Sequence, residues 1–330
     1  MNFILVCVVI FAVVFEFING FHDTANAIAT SVYTRALSVG AAIALAAVMN
    51  FLGALVFEGV AHTISEGLVS TALEEYVVLA ALIGAIIWNL FTWWRAIPSS
   101  SSHALIGALV GATLVHTFQM DSVIWSGVGW KVILPLFTSP FIGFVLGFGI
   151  MKFINWVCVR IARNRVNKVF SRLQIISAAA VAFSHGTNDS QKTMGIITLA
   201  LFTSGVIGDA SHIPLWVKIL CGATIAAGTS VGGWKIMKTM GNGVTKLEPA
   251  GGFAAQTSSA VVIEVMTALG APISTTHVLT TSVMGVGSAR RLKAVKWRIA
   301  KDIVITWVIT LPVSAFLGGL MTFIIQFFVA

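Results

Sequence analysis

Long apolar runs follow one another along the chain, with only short polar segments between them. Most are near the length of roughly 20 residues that an α-helix needs to cross the hydrocarbon core of a bilayer. Two are about twice that length, which predicts a pair of helices that enters the membrane and returns. The pattern predicts an all-α polytopic membrane protein. The expected membrane segments are residues 1–34, 38–58, 77–118 (a pair), 131–155, 173–204, 214–234, 252–288 (a pair) and 302–328.

Composition agrees with this pattern and excludes other classes. Hydrophobic residues make up 57% of the 330 positions and charged residues only 10%, whereas soluble domains are about a quarter charged. A soluble enzyme, a disordered chain and a secreted disulfide module are therefore excluded. Cys7, Cys158 and Cys221 are scattered and form no metal-binding pattern. The first residues lack a basic region, so we expect a retained span and not a cleaved signal peptide.

The basic residues indicate topology rather than nucleic-acid binding, although the net charge is +8. Fourteen of the 20 Lys and Arg residues lie in the stretches 160–172, 235–246 and 290–301, which the positive-inside rule places in the cytoplasm. The stretch 58–75 holds four acids and no Lys or Arg, so we expect it outside. These assignments predict a multi-pass protein of the cytoplasmic membrane with both termini outside.

The path repeats itself in the two halves of the chain. Each half reads as an interrupted span, a plain span, a returning pair and a plain span, but the halves start on opposite sides. Residues 20–28 (GFHDTANAI) align with 186–194 (GTNDSQKTM), and 98–111 align with 272–285. Inverted repeats with discontinuous helices are typical of secondary transporters. The predicted units are a first repeat at 1–157, a short basic cytoplasmic loop at 158–172 and a second repeat at 173–330.

The first pair of motifs places the carboxylates Asp23 and Asp189 deep in apolar sequence. A charge at such depth costs about 3 kcal/mol or more, so it normally faces the protein interior and has a partner. Carboxylate, amide and backbone oxygens suit a small alkali cation. Gly20 and Gly186 would let the helices break beside them. A purely structural polar network between helices is the alternative interpretation.

The second pair of motifs is rich in hydroxyls. Ser99 to Ser102 precede His103, and Ser274 to Thr276 precede His277. Each run follows a proline and leads into an apolar helix, so we predict a break followed by a helix N-terminus. Such N-termini bind anions, and two of them could hold a tetrahedral oxyanion. Simple N-capping is the alternative, although one cap needs only one hydroxyl.

Other polar residues in the apolar runs are compatible with more than one role. Lys192 could pair with Asp189 or Asp23 or reach the anion, and we favour the ion pair. Glu16 and Glu264 could line the pathway or bind a coupling ion, although no spacing fixes their role. Packed, hydrogen-bonded histidines are commoner in membranes than proton carriers, and we apply that expectation to His22, His103, His185 and His277.

Four motifs together resemble the inorganic phosphate transporter family, and its bacterial low-affinity branch in particular. The resemblance follows the same order across nearly the whole chain, although the long central loop of many members is missing. The motifs are NGFHDTANAIAT at 19–30, PSSSSHALIGALVGA at 98–112, SHGTNDSQKTMGI at 184–196 and PISTTHVLTTSVMGVG at 272–287.

The resemblance implies phosphate uptake coupled to sodium or protons, two hairpins whose tips carry the hydroxyls, a homodimer in the lipid bilayer and no cofactor. It places phosphate ligands at Ser101, Ser102, Thr275, Thr276, Asn26 and Gln191. It places coupling-cation ligands at Asp23, Asp189 and Asn188. Supporting roles are expected for Lys192, Ser100, Ser274, His103, His277 and Glu264.

The sequence motifs are compatible with a second substrate class, and other classes of function have to be weighed against them. A sulfate or metal–phosphate symporter would share the fold, and the motifs do not separate these substrates. An intramembrane hydrolase is disfavoured, because a nucleophile is usually a single residue with a dedicated base. A channel is disfavoured, because charged side chains enclosed within the membrane suit tight binding better than rapid flow. An ATP-driven pump is disfavoured because the sequence has no P-loop motif. We therefore expect a transporter and not an enzyme.

Overall fold

The computed structural model describes residues 2–69, 73–231 and 244–329, and these residues are almost entirely α-helical. A π-helical turn at Val128–Ile133 lies within the sixth helix. The helices are α1 Phe3–Tyr33, α2 Val39–Ala54, α3 Gly59–Glu66, α4 Glu75–Trp94, α5 Ser101–Thr117, α6 Trp125–Val157, α7 Arg163–Thr203, α8 Leu215–Val231, α9 Pro249–Ala268, α10 Thr275–Arg290 and α11 Trp297–Val329.

The molecule exposes large apolar side chains, as a surface that faces lipid requires, and buries polar as well as apolar side chains. Large side chains such as Phe3, Phe137 and Phe316 are exposed, while most polar side chains at the centre are buried. Helices α1, α4, α6 and α11 are long and apolar enough to span a membrane, and α2 with α3 adds a span bent by 65°. Helix α7 is 41 residues long but carries buried polar residues through its centre.

Two helical hairpins occupy the places where the sequence predicts returning pairs. Helices α4 and α5 turn at 95–100, and α9 and α10 turn at 269–274. Ala96 and Gly270 adopt left-handed φ angles of 55° and 67° at corresponding positions of these turns. Ser100 and Ser274 then cap the second helix of each hairpin by accepting from the backbone N–H three residues on. The expected hairpins are therefore confirmed, down to matching turn geometry.

The breaks expected beside Gly20 and Gly186 are absent, because α1 and α7 are continuous through both residues. Each glycine instead lets two helices cross closely. A Cβ added at Gly20 would lie 2.5 Å from the carbonyl oxygen of Ile225, and one at Gly186 would lie 2.3 Å from that of Asn50. The prediction of interrupted helices was wrong because glycine serves contact between helices here, not bending.

The two halves interlock. Helix α1 packs on α8 and α7 packs on α2, while α5 packs on α11 and α10 packs on α6. At the last two crossings, Gly111 and Gly285 face the backbones of Ala315 and Phe144, which reproduces the alignment of 98–111 with 272–285. Each half of the chain therefore completes its core with helices of the other half.

Helices α1 and α7 run antiparallel, as inverted halves require. Thr34 at the end of α1 donates to Gln174 near the start of α7, and Thr193 further along α7 donates to Glu16 earlier in α1. Helix α4 starts beside the start of α1, since the Asn2 amide donates to Glu75 at 3.0 Å. The hairpins therefore approach the centre from opposite ends of the molecule.

Two expected loops are partly helical. Helix α7 begins at Arg163, so residues 163–172 of the expected basic loop are its first turns. Helix α3 lies within the acidic stretch 58–75 and buries Val60 and Ile64. Both segments are too polar to be predicted as membrane spans, and the length of apolar runs indicates no helix outside the membrane. The basic residues Lys235 and Lys238 lie outside the described residues.

Candidate functional site

The first cluster of buried polar residues surrounds Asp23 in α1. Ser101 donates to its Oδ2 at 2.5 Å, and Thr276 donates to its Oδ1 at 3.1 Å. The Nδ1 of His22 lies 2.7 Å from the same Oδ1. The Asn26 amide donates to Thr276 at 2.9 Å. One carboxylate thus receives hydroxyls from the tips of both hairpins.

The second cluster surrounds Asp189 in α7. Thr275 donates to its Oδ2 at 3.2 Å, and the Nε2 of His185 lies 3.0 Å from that oxygen. Lys192 pairs with Oδ1 and also donates to Ser102 and, at 3.0 Å, to the carbonyl of Ile273. The ion pair favoured by the sequence is therefore present, and it is formed with Asp189 rather than Asp23.

The hairpin tips place these hydroxyls by capping. Because Ser100 and Ser274 cap α5 and α10, the two residues after each cap lie in the first turn of a helix. Those residues are the four hydroxyls of the two clusters, Ser101, Ser102, Thr275 and Thr276. The free N–H groups and the positive end of the helix dipole lie in the same turns. Each tip is thus a helix N-terminus directed at a buried carboxylate.

The two tip histidines lie behind these hydroxyls. The rings of His103 and His277 are 5.0 Å apart, and His277 stacks on Trp307 at 3.9 Å between ring centres. Both histidines are buried, and their ring nitrogens have no hydrogen-bond partner among the described residues. They pack the two tips against each other and contact neither carboxylate.

Three expected site residues lie outside the two clusters. The Gln191 side chain accepts from the backbone N–H of Val60 at 2.8 Å, so it caps α3. Asn188 donates to Thr267 and to the carbonyl of Ala271, which holds the turn of the second hairpin. Glu264 is half-buried and accepts from Thr187 at 3.3 Å. In this conformation all three support helices.

The sequence motifs did not indicate the polar residues that surround the clusters. The Oδ1 of Asn50 accepts from His185 Nδ1 at 3.0 Å, and its amide nitrogen donates to Thr24 and Thr229. Asn50 is a lone amide in an apolar run of α2. That isolation is a usable signal, because a buried amide in a membrane segment needs partners.

A second set of polar residues supports Asp23. Thr92 lies 3.4 Å from His22 Nε2 and 2.7 Å from Ser99, so a hydrogen-bonded chain runs from the carboxylate to the first hairpin turn. Asn19 accepts from Ser101 at 2.9 Å. The geometry of Asp23 is therefore fixed from α1 and from the hairpin together.

The clusters are shielded from solvent. The hydroxyls and carboxylates of the two clusters are at most 5% exposed. A cavity of about 10 Å³ borders Asp23, Asn26, His185 and Thr275, which is room for one water-sized species. The Oδ1 of Asn26 is buried and has no hydrogen-bond partner within the described part of the chain. Hydroxyl donors, helix N-termini and carboxylates at one buried place can hold an anion beside a cation, since each stabilises the other where the dielectric constant is low.

Comparisons with known proteins identify the family. A family model described as the phosphate transporter family matches residues 19–163 and 158–318. The chain is 48% identical to a probable low-affinity inorganic phosphate transporter of Bacillus subtilis over 97% of each chain. It is 46% identical to a protein of the same description from Rhizobium meliloti, over 97% of this chain and 96% of that one.

A solved structure has the same fold. It is described as the sodium-dependent phosphate transporter, and it superposes with a TM-score of 0.89 and 27% sequence identity over 99% of this chain and 100% of the other. The suspected family is confirmed by these matches. This multi-pass helical membrane protein belongs to the phosphate transporter family.

Proposed function

We propose that the protein is a secondary active symporter that imports inorganic phosphate by alternating access, coupled to sodium or protons. The observation that carries the proposal is the meeting of both hairpin tips at two buried carboxylates. Relatives named as low-affinity inorganic phosphate transporters support the substrate. A structural neighbour named as a sodium-dependent phosphate transporter supports cation coupling.

Phosphate would bind between the hairpin tips. Ser101 and Ser102 on one tip and Thr275 and Thr276 on the other offer hydroxyl donors beside helix N-termini, and Asn26 offers an amide. These groups now bind one another or the carboxylates, except Ser102, which donates to the carbonyl of Ile273 and accepts from Lys192. A phosphate ion would replace those partners. Gln191 would join them only by leaving the N-terminus of α3. The site therefore has to open before it binds.

The carboxylates favour phosphate over sulfate. Asp23 and Asp189 accept from hydroxyls of the same tips, so strong acceptors lie among the donors. Phosphate at neutral pH carries a proton that such an acceptor can bind, whereas sulfate carries none. A site made of donors alone would favour sulfate instead.

Coupling follows from the electrostatics of the site. An anion that enters a region of low dielectric constant is stabilised electrostatically by a nearby cation, and the anion stabilises the cation equally. Asp23 and Asp189, with Asn188 nearby on α7, are the proposed coupling-cation ligands. Joint binding would then let the site close only when both solutes are present.

Alternating access follows from the opposite approach of the two hairpins. Each tip reaches the clusters from a different end of the molecule. Withdrawal of one tip would expose the clusters to one side, and withdrawal of the other tip would expose them to the opposite side. We extend the proposal to a homodimer in the cytoplasmic membrane with both termini outside.

The decisive experiment is uptake of radiolabelled phosphate by the purified protein in proteoliposomes. A sodium gradient and a pH gradient are imposed separately, with unlabelled sulfate as competitor. We expect one of the gradients to drive uptake and excess sulfate to leave it unchanged. Uptake of sulfate in preference to phosphate, or no uptake under either gradient, would contradict the proposal.

Orientation has its own test. Single cysteines placed in 163–172 and in 290–301 of a variant lacking Cys7, Cys158 and Cys221 should react only with reagents on the cytoplasmic side. Glu248 contacts both Arg163 and Arg290, so the two segments must give the same answer. Labelling from outside would reverse the assigned direction.

A further inference from the structure

The two carboxylate clusters correspond at four pairs of residues. The offset of 166 that aligns Asp23 with Asp189 also aligns Asn26 with Lys192. The offset of 174 aligns Ser101 and Ser102 with Thr275 and Thr276. The contacts follow this correspondence. Ser101 bonds to Asp23 as Thr275 bonds to Asp189, and Asn26 bonds to Thr276 as Lys192 bonds to Ser102.

The residue three positions after the carboxylate differs between the halves. In the second half it is Lys192, whose ammonium contacts three kinds of oxygen: a carboxylate oxygen of Asp189, the hydroxyl of Ser102 and the carbonyl of Ile273. Alkali cations take the same types of oxygen ligand in transporters. The ammonium of Lys192 therefore lies where a monovalent cation would be expected to bind.

In the first half the equivalent position lacks a fixed cation. Among the described residues, no Lys or Arg forms an ion pair with Asp23, and its neighbours are the ring of His22 and the hydroxyls of Ser101 and Thr276. The Oδ1 of Asn26 is buried there and has no hydrogen-bond partner among the residues that the structure describes. Asn26 and Asp23 border the cavity of about 10 Å³. An orphaned oxygen, a carboxylate and room for a single small species together indicate a cation site.

We propose that Lys192 is a tethered cation that permanently fills one of two equivalent cation positions, so that only the Asp23 position takes a mobile coupling cation. The proposal rests on the symport proposed above and narrows it. Asp189 is neutralised within the chain throughout the cycle. Each phosphate is therefore accompanied by one cation fewer than two equivalent sites would carry.

The test exchanges the two residues. Lys192→Asn should free the second position, so the number of cations moved per phosphate should rise by about one, in line with the added site. That number is measured from the reversal potential of phosphate flux in proteoliposomes under sodium and proton gradients. Lys192→Arg keeps a tethered charge and should leave the number unchanged. An unchanged number in Lys192→Asn would overturn the proposal.

The mirror variant gives an independent test. Asn26→Lys would place a tethered cation at the Asp23 position as well, so any phosphate flux that remains should no longer respond to a sodium or pH gradient. Gradient-driven uptake that survives in Asn26→Lys would overturn the proposal. The Asn26→Lys variant also tests the tethered-cation proposal if Lys192→Asn does not fold.

A binding measurement separates a cation site from a merely structural ion pair. Sodium ions bound to folded protein raise its thermal midpoint, and choline chloride at the same ionic strength is the control. The midpoint of Lys192→Asn should rise more steeply with sodium than that of the wild type. Equal dependence would count against the second position. Phosphate exchange by the wild-type protein reports on the proposed function itself, so failure there is distinguishable from failure of the tethered-cation proposal.

Discussion

The Asp23 and Asp189 clusters share the same arrangement of residues but differ in charge. In both, a carboxylate on a long helix accepts from a hydroxyl at the tip of the hairpin of its own half. Asp189 is paired with Lys192, whereas Asp23 lies beside His22 and the amide-bearing Asn26. Repetition of the scaffold therefore preserved the geometry while a single position three residues along the helix changed the electrostatics.

The strongest test of this difference is the removal of each carboxylate charge. Asp23→Asn should abolish gradient-driven phosphate uptake with little loss of stability. Asp189→Asn should instead leave the ammonium of Lys192 buried and unpaired, at a cost of about 3–5 kcal/mol in the free energy of unfolding. Uptake in proteoliposomes and thermal midpoints in detergent measure the two effects.

The matched control is Asp189→Asn combined with Lys192→Met, because removal of both charges takes away the unpaired ion. This double variant should regain most of the stability that the single variant loses. Equal stability of Asp23→Asn and Asp189→Asn would show that the two clusters do not differ in the way their contacts indicate.

The helix crossings should respond alike in the two halves, because their geometry is the same. Gly20→Ala and Gly186→Ala would each press a Cβ against a backbone carbonyl at 2.5 Å and 2.3 Å, which should cost about 1–3 kcal/mol. Gly149→Ala, in an open part of α6, should be neutral or slightly stabilising. Thermal midpoints in detergent are the measurement. If Ala were tolerated at only one of the two crossings, the two crossings would not be structurally equivalent.

The tip hydroxyls should contribute to phosphate binding from both sides. Ser101→Ala and Thr275→Ala should each weaken phosphate affinity by about tenfold, the value of one hydrogen bond to a charged group. Thr113→Val is the control, because that hydroxyl donates only within α5, to Leu109. Binding is measured by isothermal titration of phosphate. Unchanged affinity in both tip variants would place the anion elsewhere.

The smallest effect is expected at the helix ends outside the membrane. Glu248 at the start of α9 contacts Arg163 and Arg290. Burial raises the pKa of this carboxyl, but the hydrogen bond and charges of the two arginines outweigh it and hold the pKa below the ordinary 4.5. The pair should contribute less than about 1 kcal/mol, as partly exposed pairs do.

The sign of the pH dependence follows from that lowered pKa. Because the pKa is lower in the folded protein, the contribution is complete above the unfolded-state value and is lost as the pH falls through the folded-state value. Glu248→Gln should therefore lower the thermal midpoint at neutral pH and have no effect in strong acid. Glu74→Gln, the exposed counterpart in the first half, is the control and should change little at either pH. A pH-independent effect of Glu248→Gln would contradict the ion-pair origin.

Much of the fold was predictable because the bilayer imposes a simple rule. Runs of apolar residues set the spans, and the prolines with the hydroxyl runs after them set both hairpin turns. An ion pair between Lys192 and a buried carboxylate was also expected from the sequence, which left open whether the partner is Asp189 or Asp23. These features depend on local spacing, which a sequence displays directly.

Other features depended on contacts between distant segments. The spacing around Gly20 and Gly186 was compatible with a break or with a helix crossing, and only the neighbouring helices α8 and α2 decide between them. Gln191 lies in the same motif as Asp189, yet its amide faces the N-terminus of α3. The importance of Asn50 depended on partners from three other helices.

The sequence by itself determined the membrane class, the two hairpins and the family, because hydropathy, proline position and long motifs are properties of consecutive residues. Only the tertiary structure decided which hydroxyls of the hairpin tips contact Asp23 and Lys192. It brought Thr276 to Asp23 and Ser102 to Lys192 across more than 80 residues of chain. Because these contacts join the hairpin tips to helices of the other half, no pattern within one segment could have indicated them.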